Sequence, residues 1–482
     1  ILAGHLEVMI GSKPIPVRNR TKKLAARSAV ISCACLLGAC THSAISPDAN
    51  EIATPDSWAR GGDAGQVGPD WLDSFADPQL ASLVAEAVAG NYSLAQEQAR
   101  LDEAAHAVTI ARADRFPSLD VSLGAARRGL RGTSGERILL ESYDADVGAF
   151  WDVDLWGRLS KTQQAARLSF AAQEARFEAA RRDLAAQTAN TYFRAITAGQ
   201  LLEVARRRFD NVTESHDIVA SGYRQGLNDA LDLYLARNQV ERERANLAQQ
   251  EQSAAEAVAD LQLALARYPD GSMELASSLP LLPGPIPVGL PSELLTRRAD
   301  LQESWLSLLA ADARLAAAHK ARFPSLSLVG SAGVTSAELS DLLDADLSVW
   351  SAAGNLAQPL FNAGELAARE EQARARVRLA EEQYLEQVFR AFADVENAIS
   401  RSLSLQQRYD AFLDAEKNSR AALELALEQY QRGLVTYTTV LESQRQAFDA
   451  EATVVELRNQ LLQNRVNLYL ALGGEFSGGQ TQ

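Results

Sequence analysis

The sequence predicts a mainly α chain that also carries the strands of a membrane β-barrel. Three observations lead there. The chain is duplicated at a constant offset of 207 residues. Each copy contains long runs almost free of helix breakers. Each copy also contains one segment in which apolar and polar residues alternate.

The N-terminal region differs from the rest. Residues 1–39 carry six Lys or Arg (Lys13, Arg18, Arg20, Lys22, Lys23, Arg27) and one acid, Glu7. An apolar run from Ser28 to Ala39 follows. A basic stretch ahead of a short apolar one reads as a secretory signal, too short to span a bilayer. Residues before about Arg18 are read as upstream of the translated start. Cys33, Cys35 and Cys40 are the only cysteines. Cleavage before Cys40 leaves one thiol and no internal disulfide. Leu37-Gly38-Ala39-Cys40 resembles the bacterial lipobox, in which the cysteine is acylated and becomes the new N-terminus. Residues 40–77 are then a lipid-anchored extended segment. The formal charge of the whole chain is −15, and −20 without residues 1–39. Such acidity argues against nucleic acid as a partner.

The duplication rests on many anchors. Arg115-Phe116-Pro117-Ser118-Leu119 recurs as Arg322-Phe323-Pro324-Ser325-Leu326. The same offset pairs Leu94 with Leu301, Gly157 with Gly364 and Asn190 with Asn397. It also pairs Tyr223 and Gly226 with Tyr430 and Gly433. The first repeat spans 78–268 and the second 291–473. A Pro-rich linker over 269–290 separates them, and 474–482 is read as a flexible tail.

Within each copy a helical stretch comes first, at about 78–114 and about 291–321. A β-hairpin follows, at about 117–155 and about 324–360. A long helical hairpin completes the copy, at about 157–268 and about 364–473. No Pro occurs from Ser118 to Tyr268 or after Leu360 until the C-terminus. A run of ~65 residues makes a rod of roughly 100 Å. Ala165, Leu168, Ala172, Ala175 and Ala179 recur at three/four spacing. So do Ala373, Val377, Ala380, Tyr384, Val388, Ala391, Val395 and Ala398, which is a coiled-coil seam.

In the first hairpin Leu119, Val121, Leu123 and Ala125 share one face. After a turn near Gly129–Gly135, Tyr143, Ala145, Val147, Ala149, Trp151, Val153 and Leu155 return along it. Asp120, Asp144, Asp146, Asp152 and Asp154 share the other face. In the second hairpin Leu326 and Leu328 alternate with Ser325 and Ser327. The strands alone fit a soluble sheet as well as a membrane barrel, and the signal and lipobox favour the barrel. Phe116, Phe323, Trp151 and Trp156 would then sit at the interfaces. Four strands cannot close a membrane barrel, whereas three chains would supply twelve. A homotrimer is therefore expected. Polar faces point inward in such barrels, so about fifteen carboxylates would line one lumen and favour cations.

No catalytic residue or metal ligand set is expected. His5, His42, His106, His216 and His319 are scattered, and no paired metal-ligand spacing, nucleophile elbow or phosphate loop occurs. Apart from a lipid on Cys40, no cofactor is expected.

Several motifs together resemble the outer membrane factor family, the TolC-like efflux channels, and within it the NodT-type lipoproteins. They are the lipobox at Cys40, Trp71-Leu72-Asp73-Ser74-Phe75-Ala76-Asp77-Pro78-Gln79-Leu80, and Asn91-Tyr92-Ser93-Leu94. Both Arg-Phe-Pro-Ser-Leu repeats, Asp154-Leu155-Trp156-Gly157 and Gln358-Pro359-Leu360-Phe361-Asn362-Ala363-Gly364 belong with them. The most specific runs from Gly289 through Leu290-Pro291-Ser292-Glu293-Leu294-Leu295-Thr296-Arg297-Arg298-Ala299-Asp300-Leu301. The family usually has Pro where Ala299 stands.

The resemblance implies a trimer with a twelve-stranded barrel in the outer membrane and twelve helices forming a periplasmic α-barrel. It implies docking to a periplasmic membrane-fusion adaptor and an inner-membrane pump, and no chemistry of its own. The helical hairpin tips match the adaptor-contact region. Candidate gate and docking residues are Tyr223, Gly226, Leu227, Asp229, Asp232, Tyr430, Arg432, Gly433, Leu434 and Tyr437. Two other readings stay open at this point: a coiled-coil lipoprotein spacer without a pore, and an exit duct for type I secretion.

Overall fold

The computed structural model describes residues 54–61, 71–131, 133, 135–281, 284, 286–343 and 348–474. The signal region, Cys40, part of the linker and the tail beyond Gly474 lie outside the described residues.

Helix α1 spans Pro78–Gly90 and α2 spans Tyr92–Ala113. The helical stretch read over about 78–114 comprises these two helices. Asp77 caps α1 by accepting from the amides of Gln79 and Leu80, with Pro78 at the first helical position. Asn91 then stops α1 in an extended conformation and caps α2 through Ser93 N at 2.8 Å. Strands β1 (Ser118–Arg131) and β2 (Arg137–Val153) form the first hairpin. Helices α3 (Arg158–Arg224, 67 residues) and α4 (Ala230–Ala264, 35 residues) form the first helical hairpin.

The second copy begins with the short α5 (Leu294–Arg297) and with α6 (Ala299–Lys320). Ala299 is the first residue of α6, a position where proline is well accommodated, so the family's Pro and this Ala serve the same start. Strands β3 (Ser325–Ser336) and β4 (Ser348–Ala357) follow. Helices α7 (Glu365–Gln431, 67 residues) and α8 (Tyr437–Ala471, 35 residues) close the copy. The bounds of α2, α3 and α4 match those of α6, α7 and α8 at the 207 offset.

The four strands make one antiparallel sheet in the order β1-β2-β3-β4. Its registers keep the faces apart. Val121 lies opposite Val147, Val147 opposite Ala332, and Leu326 opposite Leu356. On the other face Ser122 lies opposite Asp146, and Ser331 opposite Ser351. The hairpin β1–β2 runs past β3, whose last residue, Ser336, pairs with Tyr143.

The largest apolar cluster lies where the two copies meet. Leu80 and Val84 of α1, Tyr192 and Phe193 of α3, Leu261 of α4 and Leu462 of α8 are all buried there. Trp71 and Phe75 join them, so the Trp71–Leu80 motif is an anchor that folds back onto both helical hairpins. Each such side chain contributes roughly 1.5–3 kcal/mol by leaving water. The expected seam is largely buried as well: Ala165, Ala172 and Ala175 on α3, and seven of the eight named residues on α7, Ala380 being half-buried. Helix α6 packs between α3 and α7, whereas its counterpart α2 packs against α3.

Candidate functional site

The sheet brings Asp120, Asp144 and Asp146 onto one face. Asp120 lies opposite Gly148, Asp144 opposite Gly124, and Asp146 opposite Ser122. Ser122 Oγ donates to Asp146 at 2.8 Å. Asp144 lies flat across Gly124, where an added Cβ would come within 2.4 Å of its carboxylate. A glycine at this position is thus what lets the charge lie along the wall.

The other two expected lumen acids are placed differently. Asp154 follows the last residue of β2 and belongs to the start of α3. Its carboxylate accepts from Leu159 N at 2.9 Å, Ser160 N at 2.7 Å and Ser160 Oγ at 2.5 Å. It satisfies the free amides of the helix's first turn and is no part of the strand face. Gly157, at φ 79°, makes the turn that brings it there. Asp152 keeps its strand position, but Arg158 pairs with it at 2.6 Å and offsets its charge. Two of the expected interfacial rings are also partly withdrawn. Trp156 and Phe323 pack on each other at 5.5 Å, and the Trp156 indole donates to Pro324 O at 2.8 Å, joining the two copies.

At the far end of the helices the two tips are near replicas. Gly226 and Gly433 have φ 73° and 72°, the left-handed conformation that ends a helix without a Cβ clash. Leu227 N and Leu434 N each donate back across the turn at 2.9 Å, to Gly222 O and Gln429 O. Both leucines stand exposed, and Tyr223 is partly exposed. Asp229 caps α4 through Asp232 N at 2.9 Å. Thr436 at the matching place makes no such cap. Arg432 pairs with Glu428 of its own helix.

Tyr430 and Tyr437 pack ring to ring at 5.5 Å, beside Val219, Leu233 and Val440. Tyr437, one of the gate and docking candidates, is thus packed in the interior between the two helical hairpins. Neither hydroxyl has a hydrogen-bond partner among the described residues. Burial, then the charges of Asp232 and Asp229, pushes Tyr430 up to about 12. Burial, then Asp229, raises the Asp232 carboxyl above the usual range.

One site carries no functional mark in sequence reasoning. Arg298 reaches Asp300 at 2.8 Å, Asp394 at 3.2 Å and Ala471 O at 3.3 Å. Arg182 of the first copy reaches Arg297 O at 3.2 Å and Gly473 O at 3.3 Å. These residues line a cleft of about 450 Å³ where α3, α6, α7 and α8 meet. Burial alone would raise the Asp300 carboxyl, but the Arg298 hydrogen bonds and charge, with Gln387, hold it below the usual value. Burial raises Asp183, the nearby Asp300 charge adds to this, and Arg298 opposes it. The most specific sequence motif of the chain is thus a clamp between the copies.

The architecture has close counterparts. The probable outer membrane lipoprotein SilC of Salmonella typhimurium is 30% identical over 409 residues, covering 84% of this chain and 87% of SilC. The pyoverdine export outer membrane protein OpmQ of Pseudomonas aeruginosa is 30% identical over 459 residues, covering 92% and 96%. The solved outer-membrane channel OprN superposes with a TM-score of 0.80 at 26% identity, covering 89% of this chain and 99% of that one. The family described as outer membrane efflux protein matches residues 83–267 and 290–474, two spans separated by the 207 offset of the repeats. This chain belongs to the outer membrane efflux protein family.

Proposed function

We propose that three copies of this chain close a twelve-stranded barrel in the outer membrane and a helical duct beneath it. In this reading the duct is the passive exit of a tripartite efflux system, fed by an inner-membrane pump through a periplasmic adaptor. The observation that carries it is an open sheet with one bare apolar face. Leu119, Val121, Leu123 and Trp350 of that face are 73%, 76%, 79% and 80% exposed in the single chain. Lipid is the solvent that suits such a face, and edge strands in lipid must find partners. The repeat supports the same assembly. Leu379 and Leu403 on α7 are 58% and 56% exposed, whereas their counterparts on α3, Ala172 and Ile196, are 5% and 2% exposed. The first copy has a neighbour where the second has none, and the next chain would supply it. A pore-free spacer leaves both the sheet and these leucines unexplained.

The exposed Leu227 and Leu434 at the tips, presented by the Gly226 and Gly433 turns, are proposed as the adaptor contact. SilC and OpmQ are each 30% identical to this chain and only OpmQ is named for pyoverdine; the duct in this reading is passive, so cargo choice is assigned to the pump.

Reconstitution into a planar bilayer tests the duct. Discrete conductance is expected, with a modest cation preference from Asp120, Asp144 and Asp146. With Asp154 capping a helix and Asp152 paired, the lumen charge is smaller than the alternation in sequence suggested. The preference should fade above about 0.1 M salt, where the Debye length is ~10 Å. Changing Asp144 and Asp146 to Asn should weaken it without preventing assembly. Inserted protein without conductance would return the chain to a spacer role. An anion-selective wild type would mean the faces are reversed.

The lipid is proposed on Cys40. Cys40→Ser should accumulate as an unprocessed precursor. An intact mass matching a cleaved, unacylated wild-type chain would refute this.

A further inference from the structure

All four basic residues of the strands fall in one place. Arg127, Arg128 and Arg131 end β1, and Arg137 begins β2. They lie where the β1–β2 hairpin overhangs β3, beyond the Ala125–Tyr143 pair. Below this level the strands carry aspartates and no basic residue.

Their faces are also sorted. Arg127, Arg131 and Arg137 continue the apolar face of Leu119, Val121, Leu123 and Ala125, and Arg128 continues the aspartate face. The apolar face runs along β2 from Val153 to Tyr143. Ten residue steps are roughly 33 Å of strand, or roughly 25 Å of height at a tilt near 40°, the thickness of a barrel's apolar band. Tyr143 then marks the band's edge. Arg127 stands two residues beyond it, and Arg131 and Arg137 six, or about 5 Å and about 15 Å higher at the same tilt, a span that long arginine side chains can shorten by reaching back toward the headgroups. The other strand ends lead into the helices, so this edge is the one remote from the periplasm.

Among the described residues the charges there are only partly paired, and Glu136, beside Arg137 in sequence, makes no ion pair with these arginines. Arg127 pairs with Glu141 at 3.0 Å. Arg131 lies directly opposite Arg137, and neither makes an ion pair among the described residues. Like charges directly opposite one another destabilise a ladder, and an anion held between them would relieve that repulsion. Glu338 and Asp341, in the turn after β3, reach none of these arginines. Strand β4, which would meet the β1 edge of the next chain, has no acidic residue.

We propose that Arg127, Arg131 and Arg137 form an outward collar that binds phosphate groups of lipid headgroups in the outer leaflet. The proposal rests on the barrel reading above. Planar guanidinium groups suit phosphate through paired hydrogen bonds, and such contacts fix how deep a barrel sits.

The test uses the full-length trimer in mild detergent. It is titrated with lipid A carrying both phosphates, and with the same lipid after their removal, and bound lipid is counted by native mass spectrometry. The wild type should hold the phosphorylated form at least about tenfold more tightly. Arg127→Gln/Arg131→Gln/Arg137→Gln should bind both forms alike, and Arg131→Gln alone should lose part of the discrimination. Arg128→Gln, on the lumen face, should behave as wild type. A wild type that does not discriminate, or a triple variant that still does, overturns the collar. Conductance of the same preparations separates the two readings. Lost discrimination in a conducting wild type overturns the collar alone, and a non-conducting wild type overturns the barrel with it. If the triple variant fails to conduct, Arg131→Gln decides.

Discussion

Oxidation of a chain carrying Ser351→Cys and Arg128→Cys is expected to convert it almost completely into a covalent trimer. Within one chain β2 meets β3 with Asp144 opposite Thr335. Moving both positions by the 207 offset places Ser351 of one copy opposite Arg128 of the next. The hairpin registers support such a transfer, since Ser118 opposite Phe150 becomes Ser325 opposite Ala357 at the same offset. Residues directly opposite in an antiparallel ladder lie about 4.5–5.5 Å apart at Cα, within disulfide reach. The same Ser351→Cys with Ala126→Cys, two residues out of register, should stay monomeric on a denaturing gel, because that diagonal is ~7–8 Å. The three native cysteines all precede His42, so no other thiol occurs in the strands. Monomer alone from the in-register pair in inserted protein would overturn the trimer.

The second large effect is expected at Arg298. Arg298→Ala removes the partner of Asp300 and Asp394 and a donor to Ala471 O in one step. An uncompensated, largely desolvated carboxylate costs about 3–5 kcal/mol when fully buried. Asp300 retains some exposure, so about 2–3 kcal/mol is expected here, or about 2–3 °C in thermal unfolding of a chain this long. The effect depends on pH. The Asp300 carboxyl is held low in the folded chain, so its contribution is present above its unfolded value and is lost as pH falls through the folded one. Wild type and Arg298→Ala should therefore converge below about pH 4. Equal melting of the two at pH 7 would refute the clamp.

Much of this architecture was legible because the duplication checks itself. A helix end proposed at Gly226 is supported by Gly433, and the strand start at Ser118 by Ser325. What escaped the sequence were residues whose role is set by atoms far along the chain or just past an element's end. Alternation counts Asp154 as the next strand residue, yet Gly157 bends the backbone and turns its carboxylate onto Leu159 and Ser160. Ser160 was the available signal, as the hydroxyl an Asp at a helix start can share. Asp152 looked free because its partner, Arg158, lies beyond the hairpin. The burial of Tyr437 was not readable because nothing in its sequence neighbourhood reveals Val219 and Leu233 closing over it from the first copy. Arg298 sits in a motif readable as a signature, but its role exists only once Asp394 and Ala471 come round from the second helical hairpin.

The equal lengths of the paired helices have a mechanical meaning. Helices α3 and α7 both have 67 residues and both start directly after a left-handed glycine, Gly157 and Gly364. At about 1.5 Å per residue each descends roughly 100 Å before turning at its glycine. In a trimer that makes six staves cut to one length, ending in a flush rim. A rim of that kind has no protruding member that could fold across the opening as a flap. In that assembly the bore would change as a barrel's does when the staves lean or untwist together, and force applied sideways at the leucine-tipped edge would be the motion to which it responds.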